Sequence, residues 1–594
     1  MSGTATDTTR FRSYARDLTA RMTLAEKAAQ LTQAEKNSIT PDEVAELGIG
    51  SVLSGSGGNP DPNTPTAWRA MVDEYLDAAT RSRLGIPLLY GTDSVHGHGN
   101  VHGATIFPHN IGLGATGDPE LVEAVYRATA IETAATGARW AFAPTLAVAL
   151  DPRWGRTYES FGDDADLISE LGEAAVRGLH GDGLDRPGSV VSSLKHYVGD
   201  GGTSWGSIAA GEMEWIDWWD GWGPGWRIDQ GDTVVDEETL RAVHLRPYLD
   251  ALAAGSLTVM ASYNSWNGDK LHGHRYLLTD VLKGELGFEG LVISDWLGID
   301  QLDADPYQSV VKAIAAGIDM VMVPFEFRRF IDNVIKAVET GDLPMGRVDD
   351  AVSRILSVKH AMGLFDERPP PPPPIDTVGC DAHRRLARRA VAASAVRLSD
   401  PDGVLPLEPA TVLVAGDGAN DIGLQCGGWT IEWQGGRGPI TEGTTVVDGL
   451  RRSEHGLDVV HEPSGRFAET TRAPYGVVVV AEPPYSEGSG DRADLTLPVE
   501  DRELVERVRR HVDRLVLVLI TGRPMILDSV IGHCDAIVAA WLPGSEGDGI
   551  ADVLTGAAPF TGRLPRRWPG KDWSVDKPTA RQQPLWDRGH GMVT

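Results

Sequence analysis

The sequence predicts a (β/α)8 barrel followed by a smaller, doubly wound α/β sandwich, on three observations. Before residue 365, short apolar runs alternate with helix-like stretches, and each run ends in polar or aromatic residues. Six consecutive prolines, Pro369 to Pro374, then interrupt the chain. Beyond them the same alternation resumes over a shorter length. At 594 residues the chain is too long for one ordinary core, so two or three domains are expected.

The runs of the first part are IPLLYGTD (86–93), RWAFAPTLAV (139–148), VVSSLKHY (190–197), LTVMASYN (257–264), LVISDW (291–296) and DMVMVP (319–324). Apolar runs without period-two alternation are those of parallel strands buried on both faces. With helices between them they form a barrel whose reactive side chains stand at the C-terminal strand ends. Polyproline is stiff and enters neither helix nor central strand, so residues 366–378 read as a linker between a barrel at 1–365 and a second domain at 379–594. In that domain TVLVAGDG (411–418), GVVVVAEP (476–483), RLVLVLITG (514–522) and AIVAAWLPG (536–544) are strand-like, with charged helical stretches such as DRELVERVRR between them. AGDGAND (415–421) approaches a dinucleotide fingerprint, but Asp421 holds the place of the third glycine, so no nucleotide cofactor is expected.

The formal net charge is −30, which repels nucleic acid and anionic membranes and suits neutral or cationic partners. No run approaches the roughly 18 apolar residues of a membrane span. The N-terminal MSGTATDTTRFRSYARDL shows neither an apolar core nor a small-residue cleavage site, so a cytoplasmic address is expected. Cys380, Cys426 and Cys534 lie far apart, which argues against disulfides and a structural zinc site.

Among 84 acidic residues, those ending buried apolar strands are few: Asp93, Asp295 and Glu487, with Glu482 and Glu546 behind them. A carboxylate there is costly without a polar partner, so each is read either as a structural cap or ion pair or as one of the two carboxyls that glycoside hydrolysis requires. Arg156, Lys195, His196 and Tyr263 stand at strand ends of the first domain and suit hydroxyl recognition. Trp296 and Trp433 offer flat faces to a pyranose ring.

At these residues a resemblance becomes specific. GTDSVHGHGNVHGATIFPHNIGLGAT, FAPTLAVALDPRWGRTYESFG, KHYVGDGGT, ASYNSWNG, VISDW, QCGGWTIEWQG and EPPYSEGSGD resemble, in order, the signature blocks of family-three glycoside hydrolases of the two-domain β-glucosidase and β-D-glucan exohydrolase type. The resemblance spans residues 20 to 590 and implies a retaining exo-acting β-glucosidase without metal or cofactor. Asp295 in VISDW matches the nucleophile, and Glu487 in PYSEGSGD matches the acid/base that the second domain supplies. Asp93, Arg156, Lys195, His196 and Tyr263 match residues that hold the terminal glucosyl unit, and Trp296 and Trp433 match the indoles that sandwich the next sugar. The implied partner is a small β-glucoside or gluco-oligosaccharide. A β-N-acetylglucosaminidase or phosphorylase of the same family is the neighbouring alternative, and a non-catalytic sugar-binding protein the alternative from another class.

Two departures stand out. Gln301 replaces the Arg that plant members carry six residues after the nucleophile. Between GGT (201–203) and IDQGDT (228–233) lies an insert with Trp205, Trp215, Trp218, Trp219, Trp222 and Trp226. Four of these, from Trp215 to Trp222, share one helical face, which reads as a core or subunit interface, and hence a homo-oligomer, or as an aromatic wall over the site. His96, His98, His102 and His109 lie in a glycine-rich loop without matched acidic ligands, so no metal is expected there.

Overall fold

A computed structural model describes residues 9–208, 226–573 and 583–593. Its first domain is built on eight strands, β1 (Thr32–Glu35), β2 (Ser51–Ser54), β3 (Leu89–Thr92), β4 (Trp140–Ala141), β5 (Val191–Tyr197), β6 (Thr258–Ala261), β7 (Leu291–Ile293) and β8 (Val321–Met322). Every neighbouring pair is parallel, and β8 lies beside β1. A parallel bridge from Ile293 to Met320 joins β7 to the start of β8 and closes the barrel.

The helices between the strands start on explicit signals. Those at Pro41–Leu47, Pro65–Thr80, Pro119–Ala135 and Pro306–Ala316 each begin with proline after a Thr or Asp whose side chain accepts a backbone N–H of the first turn. The cap satisfies a donor the helix leaves unpaired, and proline gives up one that has no partner there.

β1 and β2 are strands the apolar pattern does not mark, because TQAE and SVLS are polar. Their side chains are linked inside the barrel: Gln33 Nε2 donates to Ser51 Oγ at 2.8 Å, and Ser51 Oγ to the Leu89 carbonyl at 2.6 Å. The strand expected over 139–148 shrinks to Trp140–Ala141, since Pro144 offers no N–H to a ladder.

The second sheet contains β9 (Val396–Ser399), β10 (Thr411–Ala415), β11 (Asp458–His461), β12 (Ala473–Ala481), β13 (Val512–Ile520) and β14 (Ala536–Trp541). Their spatial order is β11-β10-β12-β13-β14-β9, parallel except for β9, which runs antiparallel to β14. Winding reverses at β10, as in a doubly wound sheet.

The expected linker is extended through its prolines, one of which accepts from Arg69 (Nη2 to the Pro373 carbonyl, 3.4 Å), and it ends in a turn at Ile375–Thr377. The next helix, Asp381–Ser394, buries Ala387 and Ala390 in the barrel core and Val391 and Ala392 in the core of the second domain. No helix among the described residues is long and apolar enough to cross a membrane.

Candidate active site

The C-terminal ends of the barrel strands form a cavity of about 200 Å³. All nine site residues expected from the sequence line it: Asp93, Arg156, Lys195, His196, Tyr263, Asp295, Trp296, Trp433 and Glu487. Leu53, Phe142, Met260 and Met322, at or just past β2, β4, β6 and β8, line it as well.

Asp295 sits two residues beyond β7. Its Oδ1 accepts the Trp296 N–H at 2.7 Å, and its own N–H donates to His272 Nε2 at 2.9 Å. Its Oδ2 is buried without a hydrogen-bond partner, 3.6 Å from His196 Nε2. Burial pushes the Asp295 carboxyl up to about 6, against the pull of Arg156. One oxygen is thus fixed by the backbone, and the other is enclosed without a hydrogen-bond partner.

Lys195 and His196 are consecutive, and regular alternation along a strand would send them to opposite faces. Here the pairing of β5 with β6 shifts register between Leu194 and Tyr197, and both side chains reach the cavity. His196 Nε2 lies 3.1 Å from Arg156 Nη2, and its Nδ1 lies 2.8 Å from Asp200 Oδ2. A guanidinium only donates, so Nε2 is the acceptor and Nδ1 carries the proton toward Asp200. Burial, with Arg156 and Lys195 adding to it, holds His196 well below its usual range and keeps it neutral.

Arg156 is the hub. Its Nε and Nη2 grip both oxygens of Glu159 at 2.9 Å, and its Nη1 reaches Glu487 Oε1 at 3.4 Å. Glu487 comes from the second domain, at the start of a tight turn (Glu487–Gly490), with φ of 54°. A non-glycine residue in the left-handed region is strained and persists only where its surroundings impose it. Burial pushes the Glu487 carboxyl well above its usual range; Arg156 opposes this, and the charges of Asp229 and Asp295 reinforce it.

Asp491, four residues on, fastens this turn to the barrel. Its Oδ2 accepts the N–H groups of Arg227, Ile228 and Asp229 at 2.7–2.9 Å, and its Oδ1 accepts that of Gly155 at 2.8 Å. At Gly155 the domains touch so closely that a Cβ would stand 1.8 Å from the Glu487 carbonyl oxygen.

Trp296 packs edge-on to Phe325 with ring centroids 5.7 Å apart. Tyr263 donates its hydroxyl to the Trp296 carbonyl. Trp429, absent from the expected set, also lines the cavity. Its indole N–H donates to Glu159 Oε1 at 3.0 Å, and its ring lies 5.5 Å below Lys195 Nζ. Glu159 and Trp429 had a faint signal in the sequence, an i,i+3 partner for Arg156 and a second indole in QCGGWTIEWQG; Phe325 had none.

The rival acids are occupied elsewhere. Glu482 Oε2 accepts from Thr521, Gly522 and Tyr485, and Glu546 pairs with Arg384 at 3.0 Å; neither lines the cavity. Gln301 donates to Gln230 Oε1 at 2.8 Å. In the histidine-rich loop His96 stacks on His109 at 3.6 Å, and His98 lies 2.9 Å from Thr136 Oγ1. Among the described residues no cluster of His, Cys, Asp and Glu is arranged as a metal site. Trp215, Trp218, Trp219 and Trp222 lie outside the described residues. At the ends of the insert, Trp205 stacks on Arg153 at 4.6 Å, and Trp226 lies over Gly488, where a Cβ would meet its ring at 2.2 Å.

Comparison with known proteins identifies the family. The chain is 32% identical to a lysosomal beta glucosidase of Dictyostelium discoideum, over 98% of this chain and 76% of the relative. It is 30% identical to a periplasmic beta-glucosidase of Salmonella typhimurium, over 98% and 79%. Its fold superposes on the crystal structure of an exo-1,3/1,4-beta-glucanase from a Pseudoalteromonas species with a TM-score of 0.90 and 37% identity, covering 98% of this chain and 74% of that one. Residues 23–213 and 227–358 match the model of the glycosyl hydrolase family 3 N terminal domain, and residues 395–593 that of its C-terminal domain. The chain therefore belongs to glycosyl hydrolase family 3 and is a glycoside hydrolase.

Proposed function

We propose that the protein is a retaining, exo-acting β-glucosidase that releases terminal β-D-glucosyl residues from short β-glucosides or gluco-oligosaccharides, with Asp295 as nucleophile and Glu487 as acid/base. The observation that carries the reading is the pairing on one small cavity of two unlike carboxyls. Burial raises both carboxyls; at Asp295 Arg156 and the Trp296 N–H oppose it, whereas at Glu487 Arg156 opposes it and the charges of Asp229 and Asp295 reinforce it. Two carboxyls in unlike surroundings divide the roles of base and acid.

In the first step the Asp295 carboxylate attacks the anomeric carbon while the departing oxygen takes the Glu487 proton, giving a covalent glycosyl-enzyme. In the second, Glu487 removes a proton from water, which attacks the same carbon and releases Asp295. Two inversions leave the product β-configured. The charge of Arg156 acts on both carboxyls, its Nη1 reaching Glu487 Oε1, and offsets the charge that moves between them. Asp93, Lys195 and His196 present charged or neutral polar atoms to sugar hydroxyls, and Trp296, Trp433 and Phe325 present flat surface for the departing group. Relatives named as beta glucosidases and a structural neighbour named as an exo-beta-glucanase support the glucosyl and exo assignments.

The test is Glu487→Ala on two kinds of substrate. Cellobiose, with a poor leaving group, should lose turnover by at least about 10²-fold. Activated nitrophenyl glucosides should keep their first step, stall at deglycosylation and be rescued by azide. A uniform loss on both without rescue overturns the assignment of Glu487, and a fluorosugar that labels a residue other than Asp295 overturns that of the nucleophile.

A further inference from the structure

Asp200 stands behind His196, off the lining of the sugar cavity and only 6% exposed. Both of its oxygens are engaged. Oδ1 accepts the Gly201 N–H at 3.0 Å, and Oδ2 lies 2.8 Å from His196 Nδ1. The first partner is immobile. Gly201 sits in the tight turn Asp200–Gly202, its carbonyl accepts the Leu150 N–H at 2.9 Å, and a Cβ on it would stand 2.3 Å from the Val148 carbonyl oxygen. The second partner is a ring proton, which an imidazole carries on either nitrogen according to the bond the other nitrogen makes.

At the far side of the ring, Nε2 lies 3.1 Å from Arg156 Nη2 and 3.6 Å from Asp295 Oδ2. With the proton on Nδ1, every contact pairs a donor with an acceptor. With the proton on Nε2, the ring would set an N–H against the guanidinium that also reaches Glu487. It would also point a donor at the Asp295 carboxylate, and a hydrogen bond to a carboxylate makes it less basic. We propose that Asp200 is a positioning residue whose carboxylate holds the His196 proton on Nδ1, so that Nε2 stays an acceptor for Arg156 and Asp295 meets no histidine donor. The proposal rests on Asp295 being the nucleophile.

The test replaces Asp200 by Asn, which has the same shape but cannot accept from both partners. With Gly201 held in place, the amide oxygen stays on its N–H, the NH2 turns to Nδ1, and the ring proton should move to Nε2. Long-range 1H–15N spectra of histidine-labelled protein distinguish the two tautomers, the His196 signals being those that His196→Gln removes. Spectra and rates are taken at about pH 8, where Asp200 is ionised, because burial raises its carboxyl to about 7. The parent should carry the proton on Nδ1 and Asp200→Asn on Nε2. Its kcat/KM should fall by at least about 10²-fold, on cellobiose and nitrophenyl glucoside alike. In a His196→Gln background the same substitution should cost less than about threefold, since it acts through the ring. Where Asp200→Asn fails to fold, Asp200→Ala removes the acceptor without adding a donor and should give mixed tautomers with a smaller loss. A parent proton on Nε2, a proton unmoved in the variant, or losses that add across the two positions overturns the proposal. A fluorosugar that labels a residue other than Asp295 overturns the nucleophile instead, and the tautomer readings stand apart from that result.

Discussion

The burial of Asp295, the proposed nucleophile, comes at a cost in stability. Burial raises its carboxyl from 3.8 to about 6, so the folded protein binds that proton more tightly than the unfolded chain does. The contribution of this group to stability is accordingly full below about pH 4 and is lost as pH rises toward 6. Asp295→Asn removes the titration. It should be the more stable protein at pH 7, by on the order of 1–3 kcal/mol, with the gap closing toward pH 4. Thermal melts of both proteins across that range measure it, and an unchanged gap would place the cost elsewhere. Activity should follow the same groups. The acid limb of kcat/KM should fall near pH 6, where Asp295 takes its proton, and the alkaline limb should mark the loss of the Glu487 proton and vanish in Glu487→Gln. At this scale much of the lining was legible, because a charged or aromatic residue at the end of an apolar strand leaves few places to go. What escaped was Phe325, an ordinary apolar residue after β8, and, behind the lining, Asp229, whose charge acts on Glu487 and whose indole partner Trp154 stands 75 positions away. Neither has a neighbour in sequence that explains it.

The Glu487–Gly490 turn shows how an element is set by contacts outside itself. Nothing in EGSGD dictates a positive φ at Glu487, and a glutamate gains nothing from it locally. The conformation is imposed from the barrel, by Gly155 beneath the Glu487 carbonyl and by four backbone N–H groups converging on Asp491. Asp491→Asn turns one of those acceptor oxygens into a donor facing donors, so the turn should loosen without global unfolding. Turnover of cellobiose should fall by roughly 10- to 100-fold, since a displacement near 1 Å costs about that much, while activated aryl glucosides lose less. Equal losses on both would show that the clamp does not act through the acid. Gly155→Ala should have the same signature more severely. Elements with apolar runs were legible for the same local reason that this turn was not. β5, β12 and β13 announce themselves in valine and leucine, whereas β1 and β2 are strands only because the barrel supplies partners for Gln33 and Ser51.

The two domains form one unit, because both line the cavity and neither holds a sealed core. The barrel supplies Asp295, Arg156, Lys195 and His196, while the second domain supplies Glu487, Trp429 and Trp433. The cores also interlock. Val95, Ile111, Ala115 and Tyr158 of the barrel side are buried in the core of the second domain, and the helix Asp381–Ser394 buries residues in both. A fragment ending near Phe365 therefore loses more than a carboxyl. It uncovers those four side chains together with the face that Ala387 and Ala390 seal, and exposed apolar surface of that kind promotes association. The fragment should be aggregation-prone, should bind a hydrophobic dye that the full chain does not, and should show no β-glucosidase activity, even on aryl glucosides that scarcely need an acid. Supplying residues 379–594 as a separate chain should restore part of the activity only if the interlocked surfaces re-form, and dye binding should fall in step with the activity gained. Activity in the fragment alone would mean that the barrel carries both carboxyls, and activity regained without loss of dye binding would mean that the site assembles without the shared core.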